Sequence, residues 1–394
     1  MTTEVVLKRP PQGSLRFGHP WIYRNQIKDV SLGAQAGQVL SVVTESGKLM
    51  GKGYWNPNSE ITLRLLTRRD ESIDADFFRT RIRKALELRK KGAMESDACR
   101  VVSSEADDLA GLIVDRYAEV LVVQFLTLGM EKMRELILPV LREILPNRGI
   151  YERSDSPSRK LEGLSERVGW IEKNCNEEVV IHEKDVEIVI RFGEGHKTGW
   201  YLDQRENRAL LREVAEPGGE ALDVFCYEGA FGLQLARAGM RVLGIDSQKD
   251  VLRRAEEHRQ RNGIPETQLH FEAANAFERL KELEKNGKMF DLIVLDPPSF
   301  VKQKTALGGA LSGYKELLLR AFRMLNENGK LAVFSCAYHL DDHLLMQACL
   351  SAAQDAKRPL KILRFMKQAS DHPINPFIPE TYYLKGFLFQ VFNL

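Results

Sequence analysis

The sequence has few of the features that mark membrane, secreted or metal-binding proteins. No window approaches the roughly 18 consecutive apolar residues of a membrane span, and the first residues, MTTEVVLKRPPQGS, contain no apolar signal core. The five cysteines are scattered and include no CxxC pair, so we expect neither a disulfide framework nor a zinc site. These absences favour a cytoplasmic protein with reduced thiols.

An excess of charge of one sign is also absent. The chain has 57 Lys and Arg against 55 Asp and Glu, for a formal net charge of +2. This balance excludes a protein that coats nucleic acid through bulk charge, but it permits a local basic patch. With 43% hydrophobic residues, the 394-residue chain can bury sizeable cores in about two to three domains.

Three regions of the chain differ in pattern. Residues 1–72 contain short runs of β-formers punctuated by glycine and proline, which predicts a small β-barrel or sandwich. Residues 73–195 predict a linker helix and a central α+β domain. In residues 196–394, short apolar strands alternate with helices, which is typical of an α/β domain with a doubly wound parallel sheet.

Some local features can also be predicted. The linker helix is expected over residues 75–91, with Gly92 as its C-cap. Pro139 is expected to bend or break a second helix. A hairpin is expected over residues 179–193, and the strand-like tail, LKILRF and YYLKGFLFQVF, suggests a terminal hairpin.

The first strand-to-helix junction of the α/β region predicts a nucleoside-cofactor site. It reads DVFCYEGAFG, from Asp223 to Gly232, and Gly229 and Gly232 allow a tight turn close to a ligand. Asp246 ends the next strand, where a carboxylate can bind both ribose hydroxyls. Asp223 is suited to a cationic or amino group, and Cys226 is expected to line the pocket. The alternative interpretation is a tight strand-to-helix turn that binds no ligand.

A second polar corner follows a later strand, in LDPPSF. Asp296 comes directly after five apolar residues, and the two prolines fix a rigid, extended turn. Such a corner can read the Watson–Crick edge of a flipped base, which suits a methyltransferase and not a hydride-transfer enzyme. A structural cap is the alternative for Asp296.

Cys336 follows the next strand, in FSCAYH, and is a candidate nucleophile. Parallel strands that neighbour one another would bring Cys336 and Asp296 to one cleft. A thiolate that adds to carbon 6 of a pyrimidine activates carbon 5, and a carboxyl group can hold the proton on the ring nitrogen. A buried, inert Cys336 is the alternative, and His339 is a candidate acceptor for the carbon-5 proton. The remaining thiols are expected to be structural: Cys99, Cys175 and Cys349.

Several stretches resemble one known family along nearly the whole chain. They are LRFGHPWIYRNQI, ADDLAGLIVDRY, HKTGWYLDQREN, LDVFCYEGAFG, VLDPPSF and FSCAYH. The sequence resembles the ribosomal RNA large subunit methyltransferase I family, which makes 5-methylcytosine in 23S rRNA with S-adenosylmethionine. The resemblance implies an N-terminal PUA domain that binds RNA, a central domain and a class I methyltransferase domain.

The resemblance also implies residue roles. Cys336 matches the family's nucleophile and Asp296 its catalytic aspartate, while Arg205 is a further candidate near the cofactor. In place of the usual acidic residue after the third strand, this chain has Asn275, which can still accept a hydrogen bond from adenine. No cysteine occurs in LDPPSF, so a single-cysteine mechanism is implied. The expected cofactor contacts are Lys197, Tyr201, Asp203, Gln204, Asp223, Phe225, Cys226, Tyr227, Gly229, Gly232, Asp246, Ser247, Asn275, Ala276 and Asp296.

The N-terminal region is expected to contact RNA, because it interleaves basic and aromatic residues. The candidates are Arg16, Phe17, His19, Trp21, Tyr23 and Arg24. A core position is the alternative for Trp21. The expected partner is 23S rRNA or an assembling large subunit, and a homodimer stays open.

Three other functions compete with a cytosine-C5 methyltransferase. The first is methylation of a guanine nitrogen, which uses a similar Asp-Pro-Pro corner and needs no nucleophile. The second is an RNA-binding assembly factor with a vestigial enzyme site. The third is an NAD-dependent oxidoreductase, which the missing third glycine disfavours.

Overall fold

A computed structural model describes residues 3–10, 13–90, 96–195, 197–299 and 307–392. The chain divides into two compact units, and neither is continuous in sequence. The first unit contains Met1–His182, Val189–Leu202 and Ser370–Thr381, and the second contains Glu183–Ile188, Asp203–Ala369 and Tyr382–Leu394. Within the described residues, no helix is both long enough and apolar enough to cross a membrane.

The first unit begins with a six-stranded sheet in the order β2-β6-β5-β4-β1-β3. Its strands are β1 Glu4–Leu7, β2 Trp21–Ile22, β3 Ile27–Val30, β4 Val39–Thr44, β5 Leu49–Trp55 and β6 Leu63–Thr67. A short helix, α1 (Ser14–Phe17), precedes β2. Alternate apolar side chains of these strands form a separate core that includes Val5, Leu40 and Leu63. The β-rich region predicted at the N-terminus is therefore present.

A five-stranded sheet, in the order β11-β10-β9-β8-β7, forms the rest of the first unit with its helices. Its strands are β7 Ala98–Ser103, β8 Leu112–Tyr117, β9 Val120–Phe125, β10 Gly149–Ser154 and β11 Arg167–Lys173. The helices are α2 Ala75–Lys90, α3 Leu128–Lys132, α4 Arg134–Ile144 and α5 Ser158–Leu161. The predicted hairpin is formed by β12 (Glu178–Glu183) and β13 (Val186–Arg191). The division between the two units falls within this hairpin.

Two local predictions in this region have different outcomes. Pro139 was expected to bend or break its helix. It lies inside α4, so the helix is not broken there, and the break falls at Met133, between α3 and α4. Burial of Ile137, Leu138 and their neighbours holds α4 together although proline lacks one backbone donor. Gly92, the expected C-cap of α2, lies outside the described residues.

A buried carboxylate joins the two sheets of the first unit. Glu162 is 3% exposed, and its oxygens accept hydrogen bonds from Ser59 Oγ at 2.7 Å, Arg64 Nη1 at 2.8 Å and Asn56 Nδ2 at 2.9 Å. The backbone N–H of Leu128 donates to it at 3.3 Å. The Arg64 charge and these donors keep the pKa of Glu162 below its usual range, although burial opposes them.

A short segment from late in the sequence, residues 370–381, completes the first unit. The backbone N–H of Arg100 donates to Asp371 Oδ2 at 2.9 Å, and Arg89 Nη2 donates to the Asp371 carbonyl at 2.9 Å. Arg89 also forms a buried bidentate ion pair with Asp107. The segment is thus bound to α2 and β7 through charged, hydrogen-bonded contacts.

The second unit is a seven-stranded sheet in the order β16-β15-β14-β17-β18-β20-β19, covered by helices. Its strands are β14 Glu220–Val224, β15 Arg241–Asp246, β16 Leu269–Ala273, β17 Phe290–Leu295, β18 Leu325–Ser335, β19 Leu360–Lys367 and β20 Lys385–Val391. Its helices are α6 Arg205–Glu213, α7 Ala230–Arg237, α8 Lys249–Arg261, α9 Ala276–Lys285, α10 Leu307–Arg323 and α11 Asp342–Ala356. Five strands from β14 to β18 are parallel, and the predicted hairpin of β19 and β20 extends the sheet antiparallel. The expected doubly wound α/β fold is confirmed.

Candidate functional site

The loop after β14 has an unusual backbone that follows from its sequence. Gly229 lies in the left-handed region, with φ of +81°, and a Cβ there would stand 2.6 Å from the Phe271 ring. Phe225 and Tyr227 also have positive φ, at 63° and 51°, which side-chain-bearing residues rarely adopt. Such strain concentrates at binding sites, and no sequence pattern marked these two residues for it.

Asp223 lies beneath this loop and is 1% exposed. Its Oδ2 accepts the backbone N–H of Gly232 at 2.9 Å, and its Oδ1 has no partner among the described residues. Burial raises the pKa of Asp223 to about 7, with further contributions from the charges of Asp296 and Asp246. A buried carboxylate with an unused oxygen is suited to a cationic or donor group of a ligand.

Gly232 does not take part in the turn as expected. It lies within α7, and Gly229 is the residue that begins the helix. The absence of a side chain at Gly232 has a different use, since a Cβ there would stand 3.1 Å from Leu269 and 3.4 Å from Asp223 Oδ2. Gly232 therefore lets the helix backbone reach the aspartate.

Asp246 is the last residue of β15, next to β14 in the sheet. Its Oδ2 accepts the backbone N–H of Tyr227 at 3.1 Å, and its Oδ1 accepts that of Gln248 at 3.0 Å. Ser247 is exposed beside it, while Cys226 is buried, and burial raises the pKa of the Cys226 thiol. These contacts bring Asp246 to the glycine loop, as the strand pattern predicts.

Asn275 and Ala276 begin α9, which follows β16. Asn275 Oδ1 accepts the backbone N–H groups of Phe277 at 3.0 Å and Glu278 at 3.3 Å, so the side chain is a helix N-cap. Ala276 is buried in the core of the second unit. Capping the helix is a structural role that accounts for an asparagine at position 275. The expected contact of Asn275 with adenine stays a prediction.

Gln204 links the start of α6 to the Asp-Pro-Pro corner. Its Nε2 donates to Asp296 Oδ2 at 3.0 Å, and its Oε1 accepts from Asn207 Nδ2 at 2.6 Å. Asp203 is buried and accepts the Tyr383 hydroxyl at 2.9 Å. Gln204, one of the expected cofactor contacts, therefore bonds to Asp296. Asp203, another of them, bonds to the segment before β20. Arg205 is buried as the first residue of α6.

Cys336 follows β18 directly and is exposed, unlike a cysteine that fills a core. β17 and β18 pair in parallel, with Leu295 opposite Val333, so Asp296 and Cys336 leave neighbouring strands at the same edge. Burial raises the pKa of the Tyr314 hydroxyl, and the charges of Cys336 and Asp296 both add to this shift. Both groups thus lie near one tyrosine. His339 is partly buried and contacts Tyr338 edge to face.

The other cysteines have different surroundings. Cys99 and Cys349 are buried, and Cys175 is partly buried. Burial raises the pKa of the thiols of Cys175 and Cys349. None of the five cysteines, all within the described ranges, is in a disulfide. Cys336 is the exposed one.

Lys197 and Tyr201 belong to the first unit. Lys197 Nζ lies 4.3 Å from the centroid of the Tyr201 ring, and Lys197 has a positive φ of 53°. This cation–π contact holds the two expected residues together. Their contact with a cofactor stays a prediction.

The six expected RNA contacts separate into two groups. His19 is buried and bonds to Glu380 at 3.1 Å, and Trp21 Nε1 donates to Glu105 at 3.0 Å, so these two take part in internal contacts. The exposed group is Arg16, Phe17, Tyr23 and Arg24. The Phe17 ring stacks on Phe377, 5.9 Å between centroids, and the Arg16 guanidinium lies 5.8 Å from it.

Comparison with known protein families identifies two regions of the chain. A PUA-like domain model matches residues 5–68, and a methyltransferase domain model matches residues 215–370. Two solved structures share the fold over 98% of this chain and 100% of their own, each with a TM-score of 0.81 and 20% identity. One is described as a SAM-dependent methyltransferase from Streptococcus mutans, and the other as a methyltransferase complexed with SAH.

Full-length relatives are more similar in sequence. The ribosomal RNA large subunit methyltransferase I of Shewanella denitrificans is 39% identical over 397 residues, covering 99% of this chain and 100% of the relative. That of Tolumonas auensis is 40% identical over 392 residues, covering 98% of each chain. Since this identity extends over nearly the whole length of both chains, the chain belongs to the ribosomal RNA large subunit methyltransferase I family.

Proposed function

We propose that this chain methylates carbon 5 of a cytosine in 23S rRNA, alone or within an assembling large subunit, with Cys336 as the covalent nucleophile. The observation that carries the proposal is the pair of groups at one sheet edge: Asp296 after β17 and the exposed Cys336 after β18. Methylation of a guanine nitrogen needs the carboxylate corner but not the thiol. A reaction at carbon 5 needs both.

The cofactor is S-adenosylmethionine, which supplies a methyl group bound to a sulfonium sulfur. The residues around the glycine loop fit it: Asp223 offers a buried, unused oxygen to a positive group, and Asp246 ends the neighbouring strand, where a carboxylate can accept hydrogen bonds from a ribose. Gly229 makes the left-handed turn that leads from this loop into α7. The three carboxylates, Asp223, Asp246 and Asp296, favour a cationic ligand over an anionic one.

Cys336, Asp296 and Gln204 have different roles in the proposed reaction. The Cys336 thiolate adds to carbon 6 of the cytosine, while the carboxyl group of Asp296 gives a proton to the ring nitrogen, so carbon 5 becomes electron-rich. Carbon 5 then attacks the methyl carbon, whose bond to the sulfonium sulfur breaks with its electron pair left on sulfur, so S-adenosylhomocysteine leaves. A base takes the carbon-5 proton, the bond from sulfur to carbon 6 breaks, and the thiolate and the carboxyl proton are restored. Gln204 orients Asp296 through its hydrogen bond.

RNA binding is assigned to the exposed part of the N-terminal region. Arg16 and Arg24 can hold phosphates, and Phe17 and Tyr23 can stack on bases. His19 and Trp21 support this surface from inside through Glu380 and Glu105. We place the enzyme in the cytoplasm, where 23S rRNA is modified and thiols such as Cys336 stay reduced.

The test is the identity of the methylated nucleoside. Unmodified 23S rRNA is incubated with labelled S-adenosylmethionine and the protein, then digested and analysed by mass spectrometry. We expect 5-methylcytidine. An RNA with 5-fluorocytidine at the target should stay covalently bound to Cys336 after denaturation. Release of the enzyme needs loss of the carbon-5 proton, and a base cannot remove the fluorine that replaces it. A methylguanosine product, or no cofactor binding at all, would refute the proposal.

The raised pKa of Asp223 predicts that cofactor affinity depends on pH. The ionised carboxylate attracts a positive group. Because burial raises the pKa of Asp223 to about 7, the carboxyl group is still largely protonated at pH 6 and must lose its proton first. We therefore expect affinity for S-adenosylmethionine to be about tenfold weaker at pH 6 than at pH 8, with a plateau above about pH 8. Titration calorimetry measures this directly. Asp223→Asn should bind more weakly and lose the pH dependence, and an unchanged profile in that variant would contradict the assignment.

A further inference from the structure

Lys385 is a buried cation that the proposed reaction does not use. It is the first residue of β20 and only 4% exposed. Its Nζ donates to the carbonyl oxygens of Ala337 at 3.3 Å and Tyr383 at 3.4 Å, and it lies 5.6 Å from the centroid of the Tyr382 ring. A charged lysine is almost never buried without a compensating group.

The strand register brings this lysine to the candidate nucleophile. Lys385 pairs with Ser335 in the antiparallel ladder of β18 and β20, and Cys336 is the next residue after Ser335. The hydrogen bond from Nζ goes to Ala337, the residue after Cys336. Lys385 therefore contacts the residues on both sides of Cys336. Its backbone pairs with Ser335, and its side chain bonds to Ala337.

Burial and the nearby negative groups have opposite effects on the pKa of Lys385. Burial lowers the pKa of the Lys385 ammonium, and the charges of Asp342, Cys336 and Asp341 oppose that shift. Asp342, at the start of α11, is also bound to the Tyr382 hydroxyl at 2.8 Å. The Tyr314 hydroxyl, from α10, lies near Cys336, and Asp296 lies near the same hydroxyl. Among the described residues, Lys385 is thus a buried cation close enough to Cys336 for the two charges to interact, and acidic groups lie near it as well.

We propose that Lys385 is a positioning residue for Cys336: its ammonium stabilises the thiolate, and its hydrogen bonds hold the loop that carries the sulfur. An ordinary thiol is only a few per cent ionised near neutral pH, whereas the thiolate is the form that attacks. The catalytic meaning of this inference rests on the proposed function, but the interaction of ammonium and thiolate is measurable without RNA.

The experiment measures how fast iodoacetamide alkylates Cys336 as pH rises from 6 to 10. The full-length protein is used, and the modified peptide is quantified by mass spectrometry. Three variants separate charge from hydrogen bonding. Lys385→Met removes both, Lys385→Gln keeps a donor without charge, and Lys385→Arg keeps the charge. Cys349, which is 0% exposed, reports unfolding in the same samples, because it reacts only when the core opens.

We expect Lys385→Met and Lys385→Gln to shift the alkylation profile of Cys336 by about one pH unit upward, a roughly tenfold slower reaction at pH 7. Lys385→Arg should retain the wild-type profile. If both uncharged variants keep Cys349 protected and leave the profile unchanged, the inference is wrong. If Lys385→Met unfolds, Lys385→Gln decides. An active Cys336→Ala enzyme would refute the proposed covalent mechanism without altering this result, so the two failures are distinguishable.

Discussion

Cys336→Ala is expected to lower methyl transfer to unmodified 23S rRNA by about 10³-fold or more. Alanine keeps the small size of the residue, and the exposed position after β18 makes no core contact whose loss would unfold the sheet. What it removes is the thiol that adds to carbon 6 in the proposed mechanism. Without that addition carbon 5 is not nucleophilic, and the remaining groups bind substrates that do not react.

Two controls make this result specific. Cys336→Ala should bind S-adenosylmethionine as the wild type does, because the glycine loop and Asp246 belong to other strands. Cys175→Ala, at a partly buried thiol in the first unit, should retain full activity. Initial rates with labelled cofactor measure both variants. A Cys336→Ala enzyme with wild-type rate would leave the thiol without a chemical role and favour a nitrogen target.

Glu162→Gln is expected to destabilise the first unit by about 3–5 kcal/mol, because it leaves Arg64 as a buried charge without its partner. The amide matches the carboxylate in shape, but it offers one acceptor oxygen where the carboxylate offers two. Ser59, Arg64 and Asn56 all donate to that carboxylate, so at least one of them loses its bond.

Tryptophan fluorescence during urea unfolding reports this change selectively. All four tryptophans, Trp21, Trp55, Trp170 and Trp200, lie in the first unit. The matched control is Glu166→Gln, since Glu166 pairs with Lys160 on the surface and both side chains are about half or more exposed. That variant should change stability by less than about 1 kcal/mol. Equal effects of the two substitutions would mean that the buried pair is not what joins the sheets.

The strands of the α/β unit could be predicted well because burial on both faces leaves short apolar runs. The predicted strand RVLGID coincides with β15, and Asp296 and Cys336 follow their strands as expected. Helices α6, α9 and α11 are not among the predicted elements, although Leu280 and Leu283 of α9 are buried at helical spacing. Short amphipathic segments rich in charge resemble solvated loops until a sheet supplies the face they cover.

Residue roles within the site were harder to predict than the site itself. Two glycines three positions apart suggest one turn, yet Gly229 makes the turn and Gly232 makes a close contact inside α7. Asn275 has the position of a ligand contact and the contacts of a helix cap. Trp21 and Tyr23 are near neighbours in sequence, but only Tyr23 is exposed. Such differences depend on partners distant in sequence, and a local pattern does not contain them.

The late position of residues 370–381 in the sequence affects how the first unit folds during translation. Arg100 and Asp371, which bond in the first unit, are 271 residues apart in sequence. At about 5–20 residues per second, translation needs about 15–55 s to pass from one to the other. During that time the backbone N–H of Arg100 and the Arg89 guanidinium lack their bonds to Asp371, although most of their unit has already been made. The amino-terminal half of this enzyme is therefore completed only when almost the entire chain has left the ribosome.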